Sequence, residues 1–222
     1  MTPRFVYLDL TAERPRPIEP PTRAVLCLGN FDGVHLAHQA LLREGVRLAS
    51  LLSADGKAER VMCGVFSFFR PSVDYLLHDG GETPSHLTSL RDKLVCLAHA
   101  GVDFVCLCDF PSVRDLPPAA FMALLRGTCG CEGVVCGFNF RFGKCAAGTP
   151  DDLTAYLGAE RVVVMPEMKR GEETVSSSRI RAALMQGKAA TAADLLGRPY
   201  RLCTTVTGGK RLGRTIGFPT AN

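Results

Sequence analysis

The chain has 222 residues, of which 46% are hydrophobic and 22% charged, with a formal net charge of +4. This is ordinary globular usage, which argues against the disordered and fibrous classes. No apolar run reaches the roughly 18 residues that a membrane helix needs, and the N-terminal segment lacks a signal-peptide core. We therefore expect a soluble, cytoplasmic protein with no membrane partner. Its length suits one domain plus a remainder, or one large domain.

Basic residues are concentrated at the C-terminal end, because residues 169–222 hold ten Lys and Arg against three Asp and Glu. Such a segment favours an anionic ligand, for example the phosphates of a nucleotide. Trp is absent and only four Tyr occur, so the composition gives no support for a surface that stacks nucleic-acid bases. We expect small-molecule substrates and no nucleic-acid partner.

The ten cysteines do not have the spacing of a disulfide framework or a zinc site, since no C-x-x-C pair occurs. Most lie inside apolar runs such as 105–108, where alternate strand residues point inward. We predict buried, reduced thiols, which behave as small hydrophobic residues. The less favoured alternative is a metal cluster of four thiols (Cys129, Cys131, Cys136 and Cys145).

Short apolar runs alternate with helical patterns along the chain. In chain order, these patterns predict a strand at 24–29, a helix at 36–52, a strand at 61–66, a helix at 87–100 capped by Thr88, a strand at 104–108, a helix at 117–125, strands at 133–137 and 161–165, a helix at 176–186 and a strand at 200–206. Nearly continuous apolar strands that alternate with helices indicate an α/β fold with a parallel sheet covered on both faces. Ligands of such folds bind beyond the carboxyl ends of the strands.

The segment from Gly29 to His38 joins the first of these strands to a helix. The free N–H groups and the dipole of a helix N-terminus form an anion site, and His35 and His38, three residues apart, could hold phosphate oxygens there. A helix cap at His35 and a surface position for His38 are the structural alternatives. The G-x-x-x-x-G-K-[S/T] and G-x-G-x-x-G patterns are absent, so neither the P-loop nor the usual dinucleotide fold is indicated.

Three later segments also carry candidate chemistry. Residues 137–143 place aromatic rings, an amide and a guanidinium between two glycines, which suits a pocket for a flat ring or a hydrophobic turn. Residues 175–181 open a helix with three serines and two arginines, which suits phosphate, although a capping serine explains one hydroxyl. Residues 209–222 form either a phosphate-binding loop or a basic hairpin.

Together, and in this order, these segments resemble the bacterial bifunctional riboflavin kinase/FAD synthetase family. The motifs are G-N-F-D-G-V-H-L-A-H, the loop N-F-R-F-G, S-S-S-R-I-R, L-G-R-P-Y and the terminal G-R-T-I-G-F-P-T-A-N. The resemblance covers nearly the whole chain. Two positions depart from the family pattern: Ala37 replaces a glycine between the histidines, and Phe68-Phe69-Arg70-Pro71 stands where the family usually has His-Pro.

The resemblance implies a Rossmann-like nucleotidyltransferase domain over residues 1–186, a linking helix over 187–199 and the truncated start of a kinase β-barrel over 200–222. It implies that FMN and ATP react to give FAD and pyrophosphate, with Mg²⁺ on the phosphates. Because the barrel is incomplete within these residues, we expect no riboflavin kinase activity from this chain.

The resemblance also implies roles for individual residues. The catalytic residues would be His35, His38, Asn139 and Arg181. The ATP-binding residues would be Gly29, Asn30, Phe31, Asp32, Gly33, Ser176, Ser177, Ser178 and Arg181. The FMN-binding residues would be Asn139, Phe140 and Arg141. Thr220 and Asn222 match residues that help to hold Mg-ATP in the kinase site.

Two other functions remain open on the sequence. A flavin- or nucleotide-binding protein with little catalytic activity is favoured by Ala37, by the altered segment at 68–71 and by the incomplete barrel. A nucleotidyltransferase with another phosphate acceptor is favoured by the histidine motif, which is shared across the superfamily. The Phe-rich loop and the kinase-like tail argue against that last alternative.

Overall fold

The computed structural model describes residues 22–54, 59–70, 72, 86–202 and 217, and residues 4–7 as backbone. The six strands of the main sheet are β1 (Arg4–Tyr7), β2 (Ala24–Leu28), β3 (Met62–Phe68), β4 (Phe104–Cys108), β5 (Cys131–Gly137) and β6 (Val162–Met165). A two-stranded hairpin follows, formed by β7 (Lys169–Arg170) and β8 (Glu173–Thr174). All neighbouring strands of the main sheet are parallel.

The helices alternate with these strands. They are α1 (Leu36–Ser53), α2 (Leu90–His99), α3 (Pro111–Arg114), α4 (Pro118–Cys129), α5 (Pro150–Leu157), α6 (Ser177–Met185) and α7 (Ala189–Leu196), with short 3₁₀ segments at Lys144–Ala146 and Ala159–Arg161. The prediction of an α/β fold with a parallel sheet is confirmed, and the predicted elements within the described residues differ from the observed ones mainly at their ends.

One predicted helix start is wrong. The helix begins after Ser89, whose hydroxyl accepts the N–H of Asp92 at 3.1 Å and thus caps α2. Thr88 instead donates its N–H to the carboxylate of Asp32 at 3.3 Å. The predicted strand at 200–206 is not present over residues 200–202, and its remainder, like Thr220 and Asn222, lies outside the described residues.

The strand order β1-β4-β3-β2-β5-β6 places β2 between the two halves of the sheet. The chain adds β3 and β4 on one side of β2 and then crosses to add β5 and β6 on the other. The strand order therefore reverses between β2 and β5, and in open α/β sheets the loops at such a point diverge and leave a crevice. In open α/β sheets this point of reversal is where ligands bind.

Alternate residues of β2 pack against the two faces of the sheet. Val25 and Cys27 belong to the core shared with α1 and α2, which also includes Leu42 and Leu97. Leu26 and its alternate neighbours face the other core, which α4 and α5 cover. Because β2 is buried on both faces, its position is fixed, and so is the start of the loop that follows it.

A third apolar cluster packs α6 and α7 against each other and against the first turn of α1. Its buried residues are Leu87, Val175, Ile180, Ala183, Ala192, Leu195 and Leu196. Leu36 and Ala37, from the first turn of α1, are partly buried against the same cluster. The last two helices therefore pack beside the N-terminus of α1.

Burial keeps several cysteines in the thiol form. Burial raises the pKa of Cys108 to about 12 and raises the pKa of Cys131 and Cys136 above the usual value. Cys145, in contrast, is exposed and lies in the loop after β5. Protonated thiols are poor metal ligands, so these positions suit the predicted role as small core residues.

The approach of α1 to the sheet is close at Gly45. A methyl group on this residue would lie 2.3 Å from Sγ of Cys27 and 3.1 Å from Sγ of Cys63. Neither sulfur belongs to a long flexible side chain that could move aside. The absence of a side chain at Gly45 therefore sets the distance between helix and sheet.

We expect Gly45→Ala to lower the free energy of unfolding by about 1–3 kcal/mol, because overpacking costs this much in a dense core. The sign is informative, since Gly→Ala in a helix interior otherwise gains about 1 kcal/mol. Urea unfolding followed by circular dichroism measures the change.

Gly127, in α4, is the matched control because a methyl group there meets nothing within 4 Å. Gly127→Ala should raise stability, and Cys27→Ala should relieve the clash when combined with Gly45→Ala. A stabilised Gly45→Ala variant would contradict the packing described for α1.

Candidate active site

The loop from Gly29 to His35, called the phosphate loop after the role that the sequence predicts for it, leads from β2 into α1 at the carboxyl end of the sheet. His35 is the N-cap of α1, and its Nδ1 accepts the N–H of His38 at 3.4 Å. The first N–H groups of a helix have no partner within the helix. The loop therefore delivers an N-terminal helix end, with its partial positive charge, to the crevice.

The rings of His35 and His38 stack, with centroids 3.6 Å apart and planes inclined by 15°. The pKa of His35 is lowered to about 4, chiefly by burial; Asp32 opposes this shift and the charge of Arg198 contributes to it. Burial, then His35 and Lys93, lower the pKa of His38 well below its usual value. Both imidazoles are therefore neutral at pH 7.

The neutral state fixes what His35 can donate. Since its Nδ1 accepts a hydrogen bond from His38, the ring carries its proton on Nε2. Nδ1 of His38 is buried and has no hydrogen-bond partner among the described residues. An unsatisfied buried polar atom costs about 1–3 kcal/mol, so Nδ1 of His38 is a candidate for a hydrogen bond to a ligand or an ordered water.

Asp32 fixes the phosphate loop through hydrogen bonds to two other parts of the chain. It is only 3% exposed, and its carboxylate accepts the N–H of Leu87 at 3.0 Å and the guanidinium of Arg181 at 2.5 Å. The backbone carbonyl of the same residue accepts the hydroxyl of Ser177 at 2.8 Å. One buried acidic residue thus ties the loop to the start of α2 and to α6.

Two residues of the phosphate loop that are not glycine adopt positive φ angles, Phe31 at 51° and Val34 at 40°. Such a conformation costs about 1–3 kcal/mol per residue, and a β-branched residue like Val34 rarely adopts it. The N–H of Val34 is bonded to the carbonyl of Phe31 at 3.3 Å. Strain of this kind persists only where surrounding contacts impose it, and it is common at ligand sites.

Lys93 places a buried positive charge beneath the same loop. It is 4% exposed, and its ammonium donates to the hydroxyl of Ser67 and to the carbonyl of Phe68, both at 3.0 Å. Ser67 in turn donates to the carbonyl of Asn30 at 3.1 Å. Burial lowers the pKa of Lys93 to about 8, against an opposing effect of Asp32.

The loop after β5 begins at the neighbouring strand end. Phe138 is 50% exposed and Asn139 is exposed, whereas Phe142 is buried. Phe142 lies against Phe140 with ring centroids 5.8 Å apart. The loop therefore presents one ring and an amide to solvent while its other rings anchor it, which combines the two predicted interpretations of this segment.

The serine segment has a more structural role than the sequence predicted. The hydroxyl of Ser176 accepts the N–H of Arg179 at 3.2 Å and caps α6. Arg179 forms an ion pair with Glu173. Ser177 and Arg181 both bind Asp32, so in this structure they support the phosphate loop.

The structure brings several of the predicted site residues into one network and leaves others apart from it. Those in the network are Asn30, Asp32, Gly33, His35, His38, Ser177 and Arg181. Asn139, Phe140 and Arg141 lie in the separate loop after β5, where Arg141 donates to the carbonyl of Phe140 at 2.8 Å. Asn30 also donates its side-chain amide to Ser72 at 3.0 Å.

Three residues of this network were missed by the sequence reasoning. Lys93 lies in an amphipathic helix, where a lysine is ordinarily expected on the solvent face. The sequence predicts a helix cap at Thr88 and places Arg198 in the linking helix over 187–199 and in the L-G-R-P-Y motif. The hydroxyl of Thr88 accepts the N–H of Gly33 at 3.2 Å, and Arg198 donates to the carbonyl of Gly33 at 2.6 Å.

The described residues contain neither a cluster of metal ligands nor a membrane-spanning helix. Across residues 22–202, apart from the gaps given above, no group of three or more His, Cys, Asp or Glu side chains is placed to hold a metal ion. In the same part of the chain, no helix has the length and apolar character needed to cross a bilayer.

Comparison with known proteins identifies relatives of this chain. It is 35% identical over 200 residues to a bifunctional riboflavin kinase/FMN adenylyltransferase from Listeria monocytogenes, covering 89% of this chain and 61% of the relative. The protein of the same description from Bacillus subtilis is 33% identical over 209 residues, covering 92% and 63%. The chain thus spans about three fifths of the length of these relatives.

Among solved structures, the fold is similar to the crystal structure of a protein described as a macrolide-efflux protein from Streptococcus pneumoniae. That match has a TM-score of 0.79 and 29% identity, and covers 93% of this chain and 65% of the other.

Two family models match different parts of the chain. The riboflavin kinase model matches residues 196–222. The FAD synthetase model matches residues 18–179, which include strands β2 to β6, the phosphate loop and the first residues of α6. The chain therefore belongs to the FAD synthetase family.

Proposed function

We propose that this protein is an FMN adenylyltransferase, which converts FMN and ATP into FAD and pyrophosphate. The observation that carries the proposal is the phosphate loop, which brings the N-terminus of α1 and two stacked neutral imidazoles to the crevice beside β2. Membership of the FAD synthetase family supports this choice of reaction.

The phosphates of ATP would lie against the N-terminus of α1. Nε2–H of His35 is a directed neutral donor, and the first N–H groups of the helix add to it. Lys93 and Arg181 supply the positive charge that attracts the phosphates. A guanidinium has five N–H donors, so Arg181 can hold Asp32 and a phosphate oxygen together.

The phosphate of FMN would approach from the loop after β5. Asn139 offers an amide that can donate to a phosphate oxygen, and Arg141 offers a charge-assisted donor. Phe138 presents a ring on which a flat isoalloxazine can pack. The carboxyl ends of β2 and β5 are adjacent in the sheet, so both substrates would meet in one crevice.

The chemistry needs no covalent intermediate. A phosphate oxygen of FMN attacks the α-phosphorus of ATP, the new P–O bond of FAD forms, and the bond to the leaving pyrophosphate breaks. Catalysis of such transfers is mostly positioning and charge stabilisation. The neutral His35 and His38 suit this task, because they can donate to phosphate oxygens without forming an ion pair with Asp32.

Magnesium is implied by the family, so its fit to the site matters. The site's carboxylate, Asp32, already accepts from Leu87 and Arg181. The other donors are imidazole, hydroxyl and N–H groups, which suit an anion better than a hard cation. These residues do not form a magnesium cage, and Mg²⁺ would be bound through the ATP phosphates, as is usual for this ion.

Two further functions from the sequence are separated by the products formed. Tight binding of FMN without turnover would identify a flavin-binding protein, and transfer of AMP to another phosphate would identify a different acceptor. The structure shows Ala37 partly buried against the α6–α7 cluster, so its methyl group has a packing role.

That the 222 residues do not phosphorylate riboflavin stays a prediction, tested by incubating the chain with riboflavin and ATP.

We expect His38→Ala to lower the rate of FAD formation about 100-fold or more, since losing one preorganised donor to a transferring group has this effect. The measurement is chromatography of flavins after incubation with FMN and Mg-ATP. Absence of FAD with the folded wild-type chain would refute the proposed function.

His99→Gln is the matched control, because His99 is an exposed histidine at the end of α2. It should leave the rate unchanged. If His38→Ala kept the wild-type rate, the stacked pair would have no part in the reaction.

Lys93→Met should separate stability from activity. The unfolded chain keeps a lysine pKa of 10.5, whereas the folded value is about 8, so the unfolded chain binds more protons between these pH values and stability rises with pH. Below about pH 8 the ammonium of Lys93 is charged in both states, and its burial lowers the free energy of unfolding by up to about 3 kcal/mol. This figure takes about 1.4 kcal/mol for each unit by which the pKa is lowered. The bonds to Ser67 and Phe68 offset part of it.

The expected result for Lys93→Met at pH 7 is a free energy of unfolding equal to or up to about 2 kcal/mol above that of the wild type. Its dependence on pH between 8 and 10 should be weaker, and FAD formation should fall about tenfold as the charge under the loop is lost. Lys188→Met, at an exposed lysine, is the control. Lower stability with full activity would contradict this assignment.

A further inference from the structure

The strained phosphate loop is held from a part of the chain far from it in sequence. Arg198 donates through Nη2 to the carbonyl of Gly33 at 2.6 Å and through Nη1 to the carbonyl of Val34 at 3.1 Å. These two carbonyls flank the residue with φ of 40°. One planar guanidinium therefore binds both sides of the strained position.

The position of Arg198 is itself fixed by the end of α7. Gly197 adopts φ of 68° and closes the helix in the left-handed conformation. A methyl group there would lie 2.6 Å from Leu36, the first residue of α1. The N–H of Arg198 binds the carbonyl of Ala193 at 3.2 Å, and its Nη1 also donates to the carbonyl of Leu196.

Gln39 links the same groups from the other side. Its amide donates to the carbonyl of Val34 at 3.0 Å and to the carbonyl of Leu196 at 2.9 Å. The loop before α1 and the C-terminus of α7 thus share two bridging side chains, Arg198 and Gln39. Both bridges are polar and directional, which is what a non-glycine residue in a strained conformation requires.

The direction of these carbonyls decides where the adjacent N–H group points. In a trans peptide the C=O and the following N–H point in opposite directions. Because Arg198 and Gln39 hold the carbonyl of Val34, the N–H of His35 is turned away from them at the start of α1. The charge of Arg198 also favours the neutral state of His35.

We propose that Arg198 is a positioning residue of the nucleotide site, which holds the phosphate loop in its anion-binding conformation. The proposal rests on the proposed function and deepens it. Arg198 lies beyond residue 179, where the FAD synthetase match ends, and inside the riboflavin kinase match that begins at 196. The adenylyltransferase site is therefore completed by the segment that leads into the kinase region, outside the predicted domain of residues 1–186.

The test uses the whole chain with Arg198→Met, which keeps an aliphatic stem and removes both bridges. We expect ATP affinity, measured by calorimetry with Mg-ATP, to weaken about tenfold, and kcat/KM for ATP to fall at least as much. The KM for FMN should change less. Hydrogen exchange of the amides at 33–38 should accelerate about tenfold or more, while the urea midpoint of the chain shifts little.

Two variants make the result specific. Arg198→Lys retains the positive charge but not the paired N–H donors of the guanidinium. Its ATP affinity and amide exchange should lie between those of Arg198→Met and the wild type. Arg170→Met removes an exposed arginine that pairs with Asp194 on α7, and should match the wild type in every measurement.

The outcomes separate the two proposals. If the wild type makes no FAD, the proposed function is lost, while the changes in ATP affinity and amide exchange still decide the role of Arg198. If Arg198→Met binds ATP and exchanges its loop amides as the wild type does, the positioning role is refuted. An equal loss in Arg170→Met would show a general effect on α7 and would also refute it.

Discussion

The carboxylate of Asp32, 3% exposed, accepts hydrogen bonds from the start of α2 and an ion pair from Arg181 of α6. A buried carboxylate without such partners would be strongly unfavourable, so Asp32 can occupy this place only while both segments are docked. The same residue lies in the phosphate loop between the two non-glycine residues of positive φ, Phe31 and Val34. The conformation of the loop, the cap at His35 and the direction of α1 all depend on this interaction.

Charge and hydrogen bonding are divided between different residues around the crevice. Lys93, Arg181 and Arg198 carry positive charge but are engaged with protein oxygens. His35 and His38 face the N-terminus of α1 as neutral rings. This division places positive charge and directed neutral donors side by side at one end of the sheet. This arrangement lowers the stability of the fold in two places, through the burial of the Lys93 ammonium and through the backbone strain at Val34.

Much of the framework could be predicted from local patterns. Apolar runs such as 104–108 identify buried strands, and the segment after Gly29 identifies a helix N-terminus at the sheet edge. Contacts between distant residues could not be predicted, since nothing local distinguishes Lys93 from a solvent-facing lysine or Arg198 from a residue of a turn. Arg181 illustrates the limit: its type suggested phosphate, yet its position beside Asp32 depends on a pairing across 149 residues.

The separation of Arg198 from the phosphate loop has a consequence for biosynthesis. Gly33 leaves the ribosome 165 residues before the side chain that holds it. At about 5–20 residues per second, the nascent loop waits roughly 10–30 s for this partner. During that interval β2 and α1 can pair with their neighbours, but the loop lacks the two bonds from Arg198. The loop therefore gains this support only after the chain has been extended past α6 and α7.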